Sequence, residues 1–158
     1  MGQPVIKETS LSALPALGKL FARAVDQHFT YIAEPVRAKV KRNHSFAQLL
    51  RARADRRRVL LTASYEGRII GYAIGAAPKE GPAQLFWLYV EPEYRRFGVG
   101  RALLKAMVQT LISRGARTIA VATYDHRDFY AHQGFTFVRS TPIDGVKMDV
   151  LKYETQKR

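Results

Sequence analysis

The stretch FWLYVEPEYRRFGVGRALL, residues 86–104, runs from apolar strand-forming residues through two arginines and two closely spaced glycines into a helical pattern. The apolar part is typical of a strand buried on both faces, which predicts that it lies at the centre of a sheet. From Val99 onwards, apolar residues recur at helical spacing. A strand that enters a helix through Gly98 and Gly100 leaves the first N–H groups of that helix unpaired and accessible to an anion.

The chain before this stretch is predicted to be rich in helix. Residues 14–25 place apolar side chains on one helical face, and Ser10 or Ser12 is available to cap that helix. A second helix start is predicted at Glu34 and Pro35, and Ser45 is predicted to restart the helix after a polar interruption. The restarted helix is predicted to bury a stripe formed by Phe46, Leu49 and Leu50.

Strands and helices are predicted to alternate in the rest of the chain. Residues 59–77 contain two β-rich runs separated by Glu66 and Gly67, which predicts a tight hairpin. After the strand and helix of the opening stretch come another strand, a short helix closed by Gly134, and two final strands. This order predicts a mixed fold of the α/β (α+β) type.

Composition restricts the class of protein. The 158 residues are 47% hydrophobic, which predicts a single globular domain, residues 1–158. The absence of cysteine excludes a disulfide framework, a thiolate metal site and a cysteine nucleophile. Neither a secretory signal nor an apolar run of roughly 18 residues is present, so we expect a cytoplasmic protein without a membrane partner. The net charge of +13 favours anionic partners.

Two common phosphate-binding loops do not fit the glycine stretch. A dinucleotide fingerprint requires a third glycine where Leu103 stands, and a P-loop requires Gly-Lys-Ser/Thr, which is absent. The remaining pattern is Arg95-x-x-Gly98-x-Gly100, with Arg96 and Arg101 adding positive charge around it. The pattern favours binding of a pyrophosphate assisted by the helix dipole.

The pattern from Arg95 to Gly100, placed after a buried strand, resembles the signature of the GNAT superfamily of acyl-CoA-dependent N-acetyltransferases. The segment DFYAHQGF, residues 128–135, is similar to the later aromatic-Tyr motif of that family. The resemblance implies a largely antiparallel central sheet flanked by helices. It also implies that the strand before the glycine loop separates from the next strand.

The resemblance implies that acetyl-CoA is the cosubstrate. The coenzyme A pyrophosphate would bind main-chain amides of Arg96, Phe97, Gly98, Val99, Gly100 and Arg101. Either Arg95 or Arg96 would reach the 3′-phosphate. The pantetheine arm would pair with the main chain of Leu88, Tyr89 and Val90, which explains why apolar side chains are acceptable there.

The resemblance also assigns catalytic roles. Tyr130 matches the tyrosine that protonates the coenzyme A thiolate, and Gln84 occupies the place of a glutamate base found in several relatives. Gln84 cannot accept a proton at neutral pH but can orient a water molecule. The alternative bases are Glu91, Glu93, Asp125 and His126. We expect no metal, and we interpret His28, His44, His126 and His132 as surface or packing residues because their spacing does not suit a metal site.

The acceptor is expected to be a primary amine on a small molecule or peptide. Residues 37–58 are strongly basic, so an anionic acceptor is favoured if they face the cleft, whereas nothing follows if they lie on the outer face. A nucleic-acid or ribosome-associated binding protein is an alternative motivated by the charge. A coenzyme A sensor without turnover is a third alternative. A homodimer is also compatible with the resemblance.

Overall fold

The computed structural model describes residues 1–155. Apart from an N-terminal strand that was not predicted, its helices and strands follow the predicted order. The N-terminal part consists of β1 (Val5–Glu8), α1 (Leu14–His28), α2 (Glu34–Asn43) and α3 (Phe46–Ala54). The middle part consists of β2 (Arg58–Tyr65), β3 (Arg68–Ala76), β4 (Ala83–Val90) and α4 (Val99–Ser113). The last part consists of β5 (Thr118–Thr123), α5 (Arg127–His132), β6 (Thr136–Ile143) and β7 (Val146–Glu154).

The strands within residues 1–155 form one seven-stranded sheet in the order β1-β2-β3-β4-β5-β7-β6. All neighbouring strands are antiparallel except β4 and β5, which are parallel. The predictions of a largely antiparallel sheet and of β4 at its centre are therefore confirmed. The parallel pair follows from the crossover through α4, because parallel neighbours need a long connection.

Helices cover both faces of the sheet. On one face, α4 buries Val99, Leu103 and Met107 against β2, β3 and β4. On the other face, α1 buries its apolar stripe, including Leu17 and Phe21, together with residues of α3. No helix within residues 1–155 is both long and apolar enough to cross a membrane.

Local turn chemistry explains several element boundaries. Glu66 and Gly67 both have positive φ, 51° and 77°, as a two-residue hairpin turn of type I′ requires, so the predicted hairpin is confirmed. Gly115 and Gly134 have φ of 98° and 94° immediately after α4 and α5. Ser45 caps α3, because its side chain accepts a hydrogen bond from the N–H of Gln48.

Three expectations about local packing are wrong. Neither Ser10 nor Ser12 caps α1, because a 3₁₀ turn over Leu11–Ala13 precedes that helix and its N-cap is Ala13. Of the three residues expected to form the buried stripe of α3, only Leu49 is buried. Phe46 is 53% exposed and Leu50 is 42% exposed. In β4, Phe86 is 49% exposed because it is the extra residue of a bulge against β3.

Candidate active site

A cleft opens where β4 and β5 separate. The two strands pair only over three residues of each, from Ala83 opposite Ile119 to Leu85 opposite Val121, although β4 continues to Val90. The cleft has a volume of about 630 Å³ and lies between the free side of β4, the start of α4 and α5. Its lining residues are His28, Phe29, Tyr31, Leu88, Tyr89, Val90, Arg95, Arg96, Gly98, Val99, Gly100, Arg101, His126, Phe129, Tyr130 and Gln133.

The main chain of β4 presents hydrogen-bonding groups to this cleft. The N–H of Glu91 donates to the carbonyl of Ile70 in β3 at 2.8 Å, so the main chain of Glu91 faces β3. Because neighbouring residues of a strand alternate in direction, Tyr89 also directs its main chain to β3, whereas Leu88 and Val90 direct theirs into the cleft. The carbonyl of Val90 already accepts a hydrogen bond from Arg95 Nε at 2.9 Å.

The glycine loop between β4 and α4 forms the second wall of the cleft. Gly98 has φ of 78° and occupies the N-cap of α4 without a side-chain cap, so the first N–H groups of the helix are not covered by a capping side chain. A Cβ at Gly98 would contact nothing closer than Arg101 Nη2 at 3.5 Å, which means that backbone conformation rather than crowding requires glycine. The arrangement is suited to a phosphate group.

Positive charge surrounds the start of α4. Arg95, Arg96 and Arg101 all line the cleft, and the Arg95 guanidinium also lies 5.7 Å from the centre of the Tyr89 ring. Phe97 belongs to the same loop, but its side chain is 56% exposed and it is not among the lining residues. The loop therefore combines uncapped N–H groups with three guanidinium groups at one end of the cleft.

Tyr130 lies in α5 and lines the cleft. It is buried and its ring packs edge-on against Phe129 and Phe135, with ring centres 5.1 and 5.6 Å apart. Burial raises the pKa of Tyr130, and the nearby Tyr31 raises it further. The phenol is therefore fully protonated at neutral pH and can act as a hydrogen-bond or proton donor.

Glu91 is buried behind the cleft at the end of β4. Its carboxylate forms an ion pair with Arg23 of α1 and accepts a hydrogen bond from the Tyr89 hydroxyl at 3.1 Å. Burial and the adjacent Glu91 carboxylate raise the pKa of Tyr89 to about 12. The carboxylate is thus engaged by two partners, and neither Glu91 nor Arg23 lines the cleft.

The remaining candidate bases occupy different positions. Gln84 lies in the closed part of the sheet opposite Ala120 and is not among the described residues that line the cleft. Glu93 is exposed and pairs with Arg68 at 3.8 Å, and Asp125 is also exposed. His126 lines the cleft and is the N-cap residue of α5.

An aromatic wall was not predicted from the sequence. The segment between α1 and α2 contributes Phe29 and Tyr31, and His28 lines the cleft although we had interpreted it as a surface or packing residue. The Tyr31 ring stacks on Tyr124 with centres 4.1 Å apart, which connects this segment to the end of β5. The closely spaced aromatic residues of HFTY, residues 28–31, are the signal that sequence reasoning could have used.

The basic N-terminal region lies elsewhere. None of residues 37–58, all of which the structure describes, is among those that line the cleft. Among residues 1–155, no group of three or more His, Asp or Glu side chains is arranged to hold a metal ion. The positive charge at the cleft therefore comes from the glycine loop.

Comparisons with known proteins agree with this geometry. Residues 22–135 match the family model described as the acetyltransferase (GNAT) family. An uncharacterized N-acetyltransferase from Mycobacterium tuberculosis is 31% identical over 106 residues, which cover 65% of this chain and 68% of the relative.

Two solved structures have a similar fold. The PaiA N-acetyltransferase from Thermoplasma acidophilum in complex with coenzyme A has a TM-score of 0.79 at 19% identity, with 98% of this chain and all of that chain (100%) covered. The N-acetylglutamate synthase from Neisseria gonorrhoeae, complexed with coenzyme A and N-acetyl-glutamate, has a TM-score of 0.75 at 15% identity. The match covers 99% of this chain and 36% of that one. The family match extends from α1 through the glycine loop to Phe135, and this chain therefore belongs to the acetyltransferase (GNAT) family.

Proposed function

We propose that this protein transfers an acetyl group from acetyl-CoA to a primary amine. The amine nitrogen attacks the thioester carbonyl carbon, the C–S bond breaks, the thiolate takes a proton, and the proton of the attacking amine passes to a base. The observation that carries the proposal is the cleft itself, which brings the free side of β4, the uncapped start of α4 and Tyr130 together.

The donor fits the chemistry of the cleft. The pyrophosphate is assigned to the N–H groups of residues 96–101, where the helix dipole and the arginines compensate its charge. The pantetheine arm is assigned to the groups that Leu88 and Val90 direct into the cleft, while Tyr89 contributes its side chain to the lining. Coenzyme A complexes of similarly folded proteins support this assignment.

Tyr130 is assigned as the proton donor to the departing thiolate. A free thiol has a pKa of about 8.5 and a free phenol about 10, so complete transfer to a solvated thiolate is unfavourable. Burial raises the pKa of Tyr130, but the same exclusion of water destabilises a thiolate in the cleft and increases its proton affinity. The hydroxyl therefore donates a hydrogen bond to the sulfur as the C–S bond breaks and passes its proton to the thiolate, and the phenolate that remains regains a proton from water.

The base is assigned to water rather than to a single carboxylate. Gln84 lies away from the cleft lining, so its role in orienting that water requires a relay from the closed part of the sheet. Glu91 is engaged by Arg23 and Tyr89, which leaves it suited to holding Tyr89 in place. His126 lines the cleft, and we assign it to accept a proton from such a water.

The aromatic wall indicates the kind of acceptor. His28, Phe29 and Tyr31 all line the cleft, and the rings of His28 and Phe29 lie 5.6 and 6.3 Å from the Tyr89 ring. Because the basic residues 37–58 do not line the cleft, the argument for an anionic acceptor loses its basis. An amine whose neighbouring atoms are apolar or aromatic would bury those atoms against this wall.

Calorimetric titration with acetyl-CoA tests donor binding. Gly98→Glu would place a carboxylate beside the assigned pyrophosphate, and Gly145→Glu is a matched control because Gly145 has a similar φ of 80° in the β6–β7 turn. We expect the parent and Gly145→Glu to bind and Gly98→Glu to lose binding. Equal binding by all three proteins would disprove the assigned cradle.

An amine screen that detects released thiol tests the transfer step. We expect thiol release that depends on both acetyl-CoA and an added amine, with acetylated amine found by mass spectrometry. Binding of acetyl-CoA without transfer to any amine tested would favour the sensor alternative instead.

A further inference from the structure

A second concave surface lies at the end of the sheet opposite the cleft. It has a volume of about 700 Å³ and is formed by the α3–β2, β3–β4 and α4–β5 connections together with the end of β7. Its charged lining residues are Arg56, Arg57, Lys79, Arg114, Arg117, Lys152 and one acid, Glu154. We call this surface the basic groove.

Most of the cations in the basic groove have no acidic partner within residues 1–155. Lys152 pairs with Glu154 at 2.9 Å, and Arg114 pairs with Glu8. The other four cations, Arg56, Arg57, Lys79 and Arg117, form no ion pair within residues 1–155. Like charges gathered in a concavity repel one another and attract an anionic partner.

Arg114 holds the walls of the basic groove together. Its Nη1 donates to the carbonyl oxygens of Arg56 and Arg58, each at 2.9 Å, while its Nη2 binds the Glu8 carboxylate. These contacts attach the end of α4 to the connection between α3 and β2. Arg56 and Arg57 therefore lie on a segment that is anchored to the end of α4.

The positive surface continues beyond the basic groove. An adjoining concavity of about 550 Å³ shares Arg56 and Arg114 and adds Arg53 and Arg58, with Glu8 and Asp55 as its acids. Together the two adjoining concavities are larger than a single phosphate group needs. They suit an extended polyanion.

The uncharged lining of the basic groove distinguishes between polyanions. It consists of small residues, prolines and a threonine, including Ala77, Gly81, Pro82 and Gly115, and contains no aromatic side chain among the described residues. Protein partners are usually held by buried aromatic or aliphatic anchors, and single-stranded nucleic acids by aromatic stacking. Guanidinium groups without such surfaces suit the phosphates of a duplex.

We propose that the basic groove binds the phosphate backbone of a nucleic-acid duplex without reading its sequence. The groove and the cleft lie at opposite ends of α4, whose 15 residues span about 22 Å at 1.5 Å per residue. Both sites can therefore be occupied at once. The duplex holds the enzyme close to acceptors in a nucleoprotein, and this role is independent of whether the assignment of Tyr130 is correct.

The test measures fluorescence anisotropy of a labelled mixed-sequence DNA duplex of about 20 base pairs at about 50 mM salt, with saturating coenzyme A present. The groove variant is Arg57→Glu with Arg117→Glu. The control is Lys39→Glu with Arg42→Glu, which changes the net charge equally on exposed residues of α2. We expect the groove variant to lose at least about tenfold more affinity than the control. We also expect the slope of log K against log salt concentration to decrease in magnitude by about 2 in the groove variant.

Other outcomes would overturn the proposal. Equal loss in both variants would mean that net charge rather than the basic groove binds the duplex. Duplex binding that appears only when coenzyme A is left out would place the binding in the cleft. Displacement by poly-glutamate at the same charge concentration would indicate an acidic polypeptide as the partner, and displacement by millimolar inorganic phosphate would indicate a small anion. Melting temperatures and coenzyme A titrations of both variants verify that each is folded.

Discussion

At the scale of single residues, Tyr130 can be tested without disturbing the packing around it. Tyr130→Phe removes only the hydroxyl and keeps the ring against Phe129 and Phe135. We expect kcat for acetyl transfer to fall by about 100-fold or more, since a positioned general acid typically contributes that much. Thiol release measures kcat, and calorimetry should show that the affinity for acetyl-CoA is almost unchanged.

Tyr153→Phe is the matched control for that variant. Its ring packs on the same Phe135, with centres 5.5 Å apart, but it does not line the cleft. We expect full activity. An unchanged kcat in Tyr130→Phe would show that the proton comes from elsewhere.

Replacing tyrosine by phenylalanine is expected to have opposite effects on stability at Tyr72 and at Tyr89. The Tyr72 hydroxyl is buried and has no hydrogen-bond partner within residues 1–155, whereas the Tyr89 hydroxyl donates to the buried carboxylate of Glu91. We expect Tyr72→Phe to raise the free energy of unfolding by about 1 kcal/mol and Tyr89→Phe to lower it by about 1–3 kcal/mol. Urea denaturation of both variants measures the changes, and destabilisation by Tyr72→Phe would indicate that its hydroxyl has a partner such as a buried water.

At the scale of elements, Gly71 allows β3 to approach both β4 and α4. A Cβ at Gly71 would lie 2.7 Å from the Tyr89 carbonyl oxygen and 3.2 Å from Leu103 Cδ1, and the first of these contacts is with backbone that cannot move easily. We expect Gly71→Ala to lower the free energy of unfolding by about 1–3 kcal/mol, the usual cost of overpacking. Chemical denaturation measures this change.

Gly18→Ala is the control within a helix. In α1 the nearest atom to an added Cβ is Leu49 Cδ1 at 3.4 Å, which is part of a flexible side chain. Replacing glycine by alanine in a helix interior gains roughly 0.5–1 kcal/mol. We therefore expect Gly18→Ala to raise the free energy of unfolding, whereas Gly71→Ala lowers it. Destabilisation of similar size by both variants would contradict the packing argument.

The elements also differ in how well the sequence predicts them. The buried strand β4, the helix α4 and the turn at Glu66 and Gly67 were predicted because their signals lie in contiguous residues. The burial of Phe46 was predicted wrongly, because helical periodicity identifies an apolar face but not whether another element covers it. The exposure of Phe86 depends on a bulge in the pairing with β3, which β4 alone does not encode.

At the scale of the whole molecule, His44 links stability to pH. Its ring stacks on Phe21 with ring centres 4.0 Å apart and meets the Trp87 ring edge-on. Burial lowers the pKa of His44. The hydrogen bond with the Val40 carbonyl opposes this shift, whereas the Arg58 charge adds to it. The unfolded chain therefore binds a proton more readily than the folded protein once the pH falls below about 6.5.

We expect the free energy of unfolding to decrease as the pH falls from about 6.5 through the lowered pKa of His44. Urea denaturation at several pH values measures this slope. His44→Gln should flatten it, because that variant has no titrating group at this position. A slope that is identical in the parent and in His44→Gln would exclude this histidine as its source.

The distribution of charge is also a property of the whole molecule. The net charge of +13 is evident from composition, but its separation into the glycine loop and the basic groove is not. Residues 56–57, 79, 114, 117 and 152 meet in the groove although they are far apart in the chain. Only the folded sheet determines which cations share a surface and which ones face the cleft.

The residue pattern alone was enough to predict the helices and strands from α1 onwards, the family resemblance and the glycine loop, because local backbone conformation depends on neighbouring residues. Gly98 is an example, since its positive φ was encoded at the position where it is used. Tertiary packing sets which side chains meet, such as Phe29, Tyr31 and Tyr130 in one cleft, and Glu91 with Arg23. These contacts join residues distant in sequence, and the packing of helices on the sheet sets them without any local signal.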